Sequence, residues 1–267
     1  MRHCRPNRLR DASARQREMT VVLLLLMLAL SPRPAAAQET GADWLERIDA
    51  AETVPHSYSI MKQTITTSGG SLRTFTIRVW SAENGDVSLM AYIEPPRVAG
   101  DKILQLAGGD DFWYYMARRD VTRHFAGHNR KQSAMGSDFS YEDLATGDLT
   151  EDYHAKVIGY EELDGVQTVK LECVPTESGP SYDHLNLWAG TDDHLTRKIE
   201  YYDEQHHLKT LYFSNFEVIE GRKVATRMEM VNHREGSSTV LEALEMTFSD
   251  RPDPSLFRQN TLSERIP

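Results

Sequence analysis

The chain has 267 residues, of which 40% are hydrophobic and 26% charged, and its 30 Lys and Arg against 40 Asp and Glu give a formal net charge of −10 at pH 7. Such a balance keeps a protein soluble and argues against nucleic acid or an anionic membrane surface as its main partner.

Residues 1–37 read as a secretory signal peptide. A basic stretch (Arg2, Arg5, Arg8, Arg10, Arg15, Arg17) precedes an apolar run from Val21 to Leu30, then Pro32 and the small residues Ala35, Ala36 and Ala37. Cleavage is expected near Ala37, and a start at Met19 would remove the basic residues that orient such a segment. The apolar run is short for a membrane span, so no stable membrane insertion is expected. Removal takes away seven Arg, one Asp and one Glu, so 30 basic and 40 acidic residues become 23 and 38 and the net charge becomes −15. Cys4 leaves with the leader, and Cys173 then has no partner for a disulfide. No cysteine follows the apolar run closely, so the exported protein is expected to be free of lipid. Residues 38–267 carry no Pro/Ser/Gly-rich linker and read as one domain.

A short amphipathic helix is expected around Trp44 to Ala51, with Trp44, Leu45 and Ile48 on its apolar side. Turn signals then recur, among them Ser68-Gly69-Gly70, Asn84-Gly85-Asp86, Gly108-Gly109-Asp110, Gly127-His128-Asn129, Asp164-Gly165, Glu220-Gly221 and Glu235-Gly236. That punctuation describes hairpins. Phe75, Ile77 and Val79 share one strand face, and Val87, Leu89, Ala91 and Ile93 share another. Roughly ten or eleven antiparallel strands follow from this pattern, with no βαβ alternation. In the strand Phe112-Trp113-Tyr114-Tyr115-Met116, alternation puts Trp113 and Tyr115 on one face and Phe112, Tyr114 and Met116 on the other.

Met135 to Leu144 interrupts the strands. Ser137, Asp138 and Ser140 are good helix N-caps, and Ser140 with Asp143 three positions on resembles a capping box. A two-turn helix over 138–146 is expected, tethered by Gly136 and Gly147. Its apolar residues Phe139, Tyr141 and Leu144 must dock on something, because so short a helix is unstable alone. Glu142 and Asp143 are expected on its solvent side. The segment has the character of a lid.

No catalytic, metal or cofactor site emerges. His184, His194 and the pair His206-His207 fit no zinc spacing, and no G-x-S-x-G elbow exists. Cys173 sits in a strand-like run as a small buried hydrophobe. A non-enzymatic protein is the expectation.

Pro95-Pro96-Arg97, Gly100-Asp101-Lys102, Asp111-Phe-Trp-Tyr-Tyr115, the Gly136-Ser-Asp-Phe-Ser-Tyr-Glu-Asp-Leu144 run, Asp152-Tyr153 and Lys209-Thr-Leu211 together resemble the outer-membrane lipoprotein-sorting family, relatives of the periplasmic carrier LolA. The resemblance implies a mainly β (α+β) fold: a curved antiparallel sheet forming an unclosed half-barrel covered by short helices, LolA/LolB-like. It implies a periplasmic carrier that shuttles lipid or acylated protein toward the outer membrane with an inner-membrane transporter of the resistance-nodulation-division or MMPL type and an outer-membrane acceptor. The residues expected to line the apolar cavity and lid are Phe75, Ile77, Val79, Leu89, Ile93, Trp113, Tyr115, Met135, Phe139, Tyr141 and Leu144. The alternative is a protein-binding accessory or sensor domain of an envelope transporter complex. An empty apolar cavity of ~300 to 1,000 Å³ would cost on the order of 7 to 24 kcal/mol, comparable to a whole domain's stability, so a carrier's lid is expected to fold inward without cargo.

Overall fold

The computed structural model describes residues 1, 39–125, 130–145, 148–177, 179–204 and 206–266. The leader at 2–37, Gly127-His128-Asn129 and Gly147 lie outside the described residues. Helix α1 (Gly41–Glu52) is followed by strands β1 (His56–Thr66), β2 (Leu72–Ala82), β3 (Val87–Glu94), β4 (Lys102–Leu106), β5 (Asp111–Met116) and β6 (Val121–Phe125). After a connecting segment that contains a 3₁₀ turn at Glu142–Leu144 and the short helix α2 (Leu149–Asp152), seven more strands follow. They are β7 (Tyr153–Leu163), β8 (Val166–Pro175), β9 (His184–Gly190), β10 (Thr196–Asp203), β11 (His206–Ile219), β12 (Arg222–Asn232) and β13 (Ser237–Thr247).

All thirteen described strands form one antiparallel sheet in the order β6-β5-β4-β3-β2-β1-β13-β12-β11-β10-β9-β8-β7. Two meanders are thus joined by the pairing of β1 with β13, and β6 and β7 are left as unpaired edges. The chain leaves one edge at Phe125 and re-enters at the other at Tyr153, so the intervening segment has to cross the mouth that the sheet leaves open.

Contacts of that segment show how strongly the sheet curls. Tyr141 lies 5.5 Å, ring centre to ring centre, from Phe112 on β5. Asp143, two residues on, is ion-paired with Lys209 on β11. Those strands are seven steps apart in the sheet order, about 34 Å on a flat sheet at ~4.8 Å per step, while two residues span no more than about 7 Å and the side chains of Phe112 and Lys209 stand off their strands rather than lying along the sheet to close the gap. Only a sheet bent round on itself permits both contacts. Register shifts at Ile60/Met61, Thr76/Ile77, Val157/Gly159, Thr196/Lys198 and Tyr201/Tyr202 supply local bends. The fold is an unclosed half-barrel with short helices, and the turn signals at 68–70, 84–86, 108–110, 164–165, 220–221 and 235–236 sit between its strands.

Two expectations need correction. The described residues form thirteen strands rather than ten or eleven, because β4 and β6 are only five residues each and escape a periodicity reading. The two-turn helix expected over 138–146 is instead one 3₁₀ turn at Glu142–Leu144. Its start carries the expected reciprocal bonds: the Ser140 amide donates to Asp143 Oδ2 at 2.6 Å and the Asp143 amide to Ser140 Oγ at 3.3 Å. The upstream Ser137 and Asp138 turn their side chains to a hairpin and to β13 instead, so nothing propagates the helix.

Candidate functional site

The inner face of the curled sheet carries a continuous apolar surface. Phe75 and Ile77, Tyr92, Ile103 and Phe112 line one side, and Leu185, Leu187, Leu211 and Met230 the other. Helix α1 covers part of it with Trp44, Leu45 and Ile48, all buried as expected. Burial of such side chains is worth roughly 1.5–3 kcal/mol each, which a short helix needs. Thr40 and Asp43 form its capping box, and the Thr40 amide holds the Asp43 carboxyl below its usual range. Gly41 lies so close to the Ala155 carbonyl of β7 that any side chain there would collide with it. At the other end, Glu52 accepts from the Thr196 amide at 2.6 Å, and Arg222 donates to the Ala51 and Thr53 carbonyls.

The segment from Gln132 to Ala145 covers the rest. Its first half is a hairpin: the Ala134 amide donates to Phe139 O at 2.8 Å and the Tyr141 amide to Gln132 O at 3.1 Å. Met135 and Gly136, at the tip, have φ values of 55° and 70°, the left-handed pair of a tight turn over residues 134–137 that the Ser137 amide closes by donating to the Ala134 carbonyl at 3.0 Å. Phe139 and Tyr141 are 2% and 3% exposed and point into the inner cluster, with Met135 and Leu144 packed at its border. Tyr141 also stacks on Phe125 at 4.7 Å.

Side-chain hydrogen bonds hold this segment to the sheet and to the connection between β8 and β9. Asp138 accepts from Ser237 Oγ at 2.5 Å and Thr239 Oγ1 at 2.7 Å, both on β13. Arg73 on β2 donates to the Gly136 carbonyl at 2.8 Å. Glu142 accepts from Ser181 Oγ at 2.7 Å, and Asp143 from the Tyr182 hydroxyl at 2.7 Å and from Lys209. The expectation that Glu142 and Asp143 face solvent is therefore wrong: the Asp143 carboxylate is fully buried and Lys209 is 9% exposed. Partners 66 residues apart give no local sequence signal. The Lys209 ammonium also sits over the rings of Tyr182 and Tyr201, at 5.1 and 5.3 Å. Burial, reinforced by the Asp143 charge, pushes both phenols well above their ordinary pKa.

The eleven residues singled out from the sequence separate into two groups. Phe75, Ile77, Val79, Met135, Phe139, Tyr141 and Leu144 come together at the inner face. Leu89, Trp113 and Tyr115 do not: they belong to a second apolar cluster on the outer face, with Leu104 and Leu262. Ile93 shares the parity of Leu89 and lines an outer cavity of about 420 Å³ beside Trp80, Lys102 and Ile266. Alternation within β5 is as read, but the inward residues are Phe112 and Tyr114. Period two says which side chains share a face and is silent on which face is inside. A C-terminal segment with 3₁₀ turns at Pro254–Phe257 and Gln259–Thr261 covers the outer cluster. A further outer cavity of about 360 Å³ lies beside Pro55, Ala82 and Phe257.

Among the described residues no group of three or more His, Cys, Asp or Glu side chains is arranged to hold a metal. His184 and His207 stack on Tyr202, and His194 packs on Trp44. Cys173 is buried in the inner cluster, its thiol pushed up to about 12 by burial. No described helix is long and apolar enough to cross a membrane.

A family model described only as "Uncharacterized protein" matches residues 84–264. Among solved structures, the chain is 28% identical to a DUF1329 family protein from Desulfovibrio piger, with a TM-score of 0.77 over 83% of this chain and 97% of that one. It is 27% identical to a domain from Vibrio parahaemolyticus described as an outer membrane lipoprotein-sorting protein, with a TM-score of 0.78 over 84% of this chain and 98% of that one. A LolA superfamily protein from Nitrosomonas europaea, 22% identical, shares the fold with a TM-score of 0.69 over 84% of this chain and 99% of that one. A search of curated proteins returns no match.

Proposed function

Because the chain belongs to the family whose model matches residues 84–264 and has the fold of lipoprotein-sorting domains, we propose that it is a periplasmic carrier that takes lipidic or acylated cargo onto its inner face when the 132–145 lid moves aside. The observation that carries this reading is the way the lid is held. Phe139 and Tyr141 fill an apolar surface contributed by both meanders, while Asp138 and Asp143 grip β13 and β11, and Glu142 the connection between β8 and β9, by their side chains. A strand paired into the ladder would have to break a run of backbone bonds to leave, whereas this segment exchanges a few side-chain bonds for water or cargo. An acyl chain replacing it gains ~0.8 kcal/mol per buried CH₂. No nucleotide-binding motif is present in the sequence, so directionality falls to an inner-membrane transporter of the RND or MMPL type and an outer-membrane acceptor. Cleavage of residues 1–37 precedes this cycle, leaving 38–267 as the carrier domain.

The test is a reversible lock. Asp138 and Thr239 are in direct contact, so the Asp138→Cys/Thr239→Cys variant is expected to bind a fluorescent acyl probe when reduced and to lose binding when oxidised. Equal binding in both states would end the proposal. The second reading, a protein-binding accessory domain, draws on the unpaired edges β6 and β7, where Val121, Ile158 and Tyr160 are exposed; it predicts that the lock changes nothing.

A further inference from the structure

Lys209 is a buried ammonium on the inner face of a β-strand, with Leu211 two residues further on the same face. Its neighbours are the aromatic faces of Tyr182 and Tyr201, and its charge is balanced by Asp143, a residue of the lid. Moving the lid aside withdraws that carboxylate. A buried ammonium left without its counter-ion is strongly unfavourable, so whatever takes the lid's place is favoured if it brings an anion to the same point.

Resting on the carrier reading, we propose that the lid is an internal mimic of the cargo, and that the cargo is an anionic amphiphile whose acid group replaces Asp143 on Lys209 and the Tyr182 hydroxyl. The likeness is chemical. Asp143 presents a carboxylate to one ammonium and one phenol, and the adjoining Phe139, Tyr141 and Leu144 present the apolar bulk that fills the sheet's interior. An acyl or alkyl chain ending in a carboxylate or phosphate has both parts in the same order. Lys209 is then the specificity residue and the inner apolar wall supplies affinity without discrimination. In a carrier for neutral lipids the same ammonium would be left stranded at each loading.

Three probes of equal chain length test this on the full mature chain: hexadecanoate, hexadecyl phosphate and hexadecanol, each displacing a neutral fluorescent acyl reporter. The acids are expected to displace it at about tenfold lower concentration than the alcohol, the worth of one charge-assisted hydrogen bond. The ratio of the two acids identifies which anion the site takes. Because Lys209→Met alone leaves Asp143 buried and uncompensated, the diagnostic variant is Asp143→Asn/Lys209→Met, whose pair is neutral. It should bind the alcohol and the acids alike, and the alcohol more tightly than the parent does, because no ammonium is left stranded when a neutral chain loads. Asp143→Asn alone should bind acids more tightly than the parent, its internal competitor gone. Alcohol binding with no preference for acids in the parent, or a preference that survives in the double variant, overturns the proposal and leaves the carrier reading standing. Binding of none of the three overturns both.

Discussion

The two faces of the sheet are each covered by a separate piece of chain, and each cover is fastened by a buried lysine. On the inner face Lys209 reaches the side-chain carboxylate of Asp143. On the outer face Lys102 donates to the backbone carbonyls of Leu262 and Glu264, at 2.7 and 2.5 Å, while Leu262 fills the cluster of Leu89, Leu104 and Tyr115. The chemistry of the fastening differs in a way that matters. A carbonyl contact fixes the path of the C-terminal chain itself, because both acceptors belong to its backbone. A carboxylate contact involves one end of one side chain, and another anion can take it over. Under the carrier proposal the outer cover is then architecture and the inner one a gate.

Mutations can break this contrast. The largest loss is expected from Phe112→Ala, whose side chain is fully buried in a strand that has nowhere to move; about 3–5 kcal/mol, read by urea denaturation, follows from cavity formation. Lys209→Met should cost a similar 3–5 kcal/mol because it orphans Asp143, and adding Asp143→Asn should recover most of it. Failure of the second change to rescue the first would show that Lys209 is needed for packing rather than charge. Lys102→Met should cost about 1.5–3 kcal/mol through lost charged hydrogen bonds, with affinity for an acyl probe unchanged. If that variant bound the probe more weakly, the outer face would not be merely structural.

Phe139→Ala/Leu144→Ala sharpens the comparison further. A lid that detaches leaves no cavity frozen in place, so the stability lost is limited to its docking, about 1–3 kcal/mol, below what two truncations in a fixed core would remove. Acyl-probe affinity and its rates should change more than the melting temperature does. Near-normal probe binding together with a collapse in melting temperature would make this segment part of the fixed core.

The smallest effect concerns pH. Burial raises the Asp152 carboxyl, at the end of α2, from 3.8 to about 6, and burial likewise raises Glu52, at the end of α1. A folded group with a raised value holds more protons than the unfolded chain, so the Asp152 contribution to stability declines as pH rises from about 4 through about 6, and Glu52 adds a decline of the same sign. Asp152→Asn and Glu52→Gln should each remove part of that decline, gaining melting temperature over the parent at pH 7 and little at pH 4. A parent and variants whose melting curves stay parallel across the interval would contradict the assignment.

Much of this architecture is legible in the amino-acid sequence, and the rest is hidden for identifiable reasons. Turn chemistry is local, and so the hairpins declare themselves at Asn84-Gly85 and Asp164-Gly165. Trp44, Leu45 and Ile48 declare a buried helix side for the same reason. The bent sheet and the covering segment were carried by the resemblance and the Met135–Leu144 run. What stayed hidden depends on contacts distant in sequence. Trp113 and Tyr115 looked like cavity residues because both sides of β5 are apolar, and the outer side is explained only by Leu256, Phe257 and Leu262 at the far end of the chain. Those three residues were the available signal: an apolar tail after the last strand must cover something. Asp143 looked like a solvent-facing helix charge because Lys209 is invisible from its own neighbourhood. The helix itself shrank to one turn because Ser137 and Asp138 found better partners than helix amides.

The pairing ladder ends at β6 and β7. In a closed barrel, strand number and stagger set the diameter, and a larger interior requires hydrogen bonds to be broken. Here the hoop is cut, so its girth is an elastic variable. For the proposed carrier, a bulkier guest would be admitted by flexing the edges apart, at the expense of bending alone, and one such vessel would serve guests of more than one calibre.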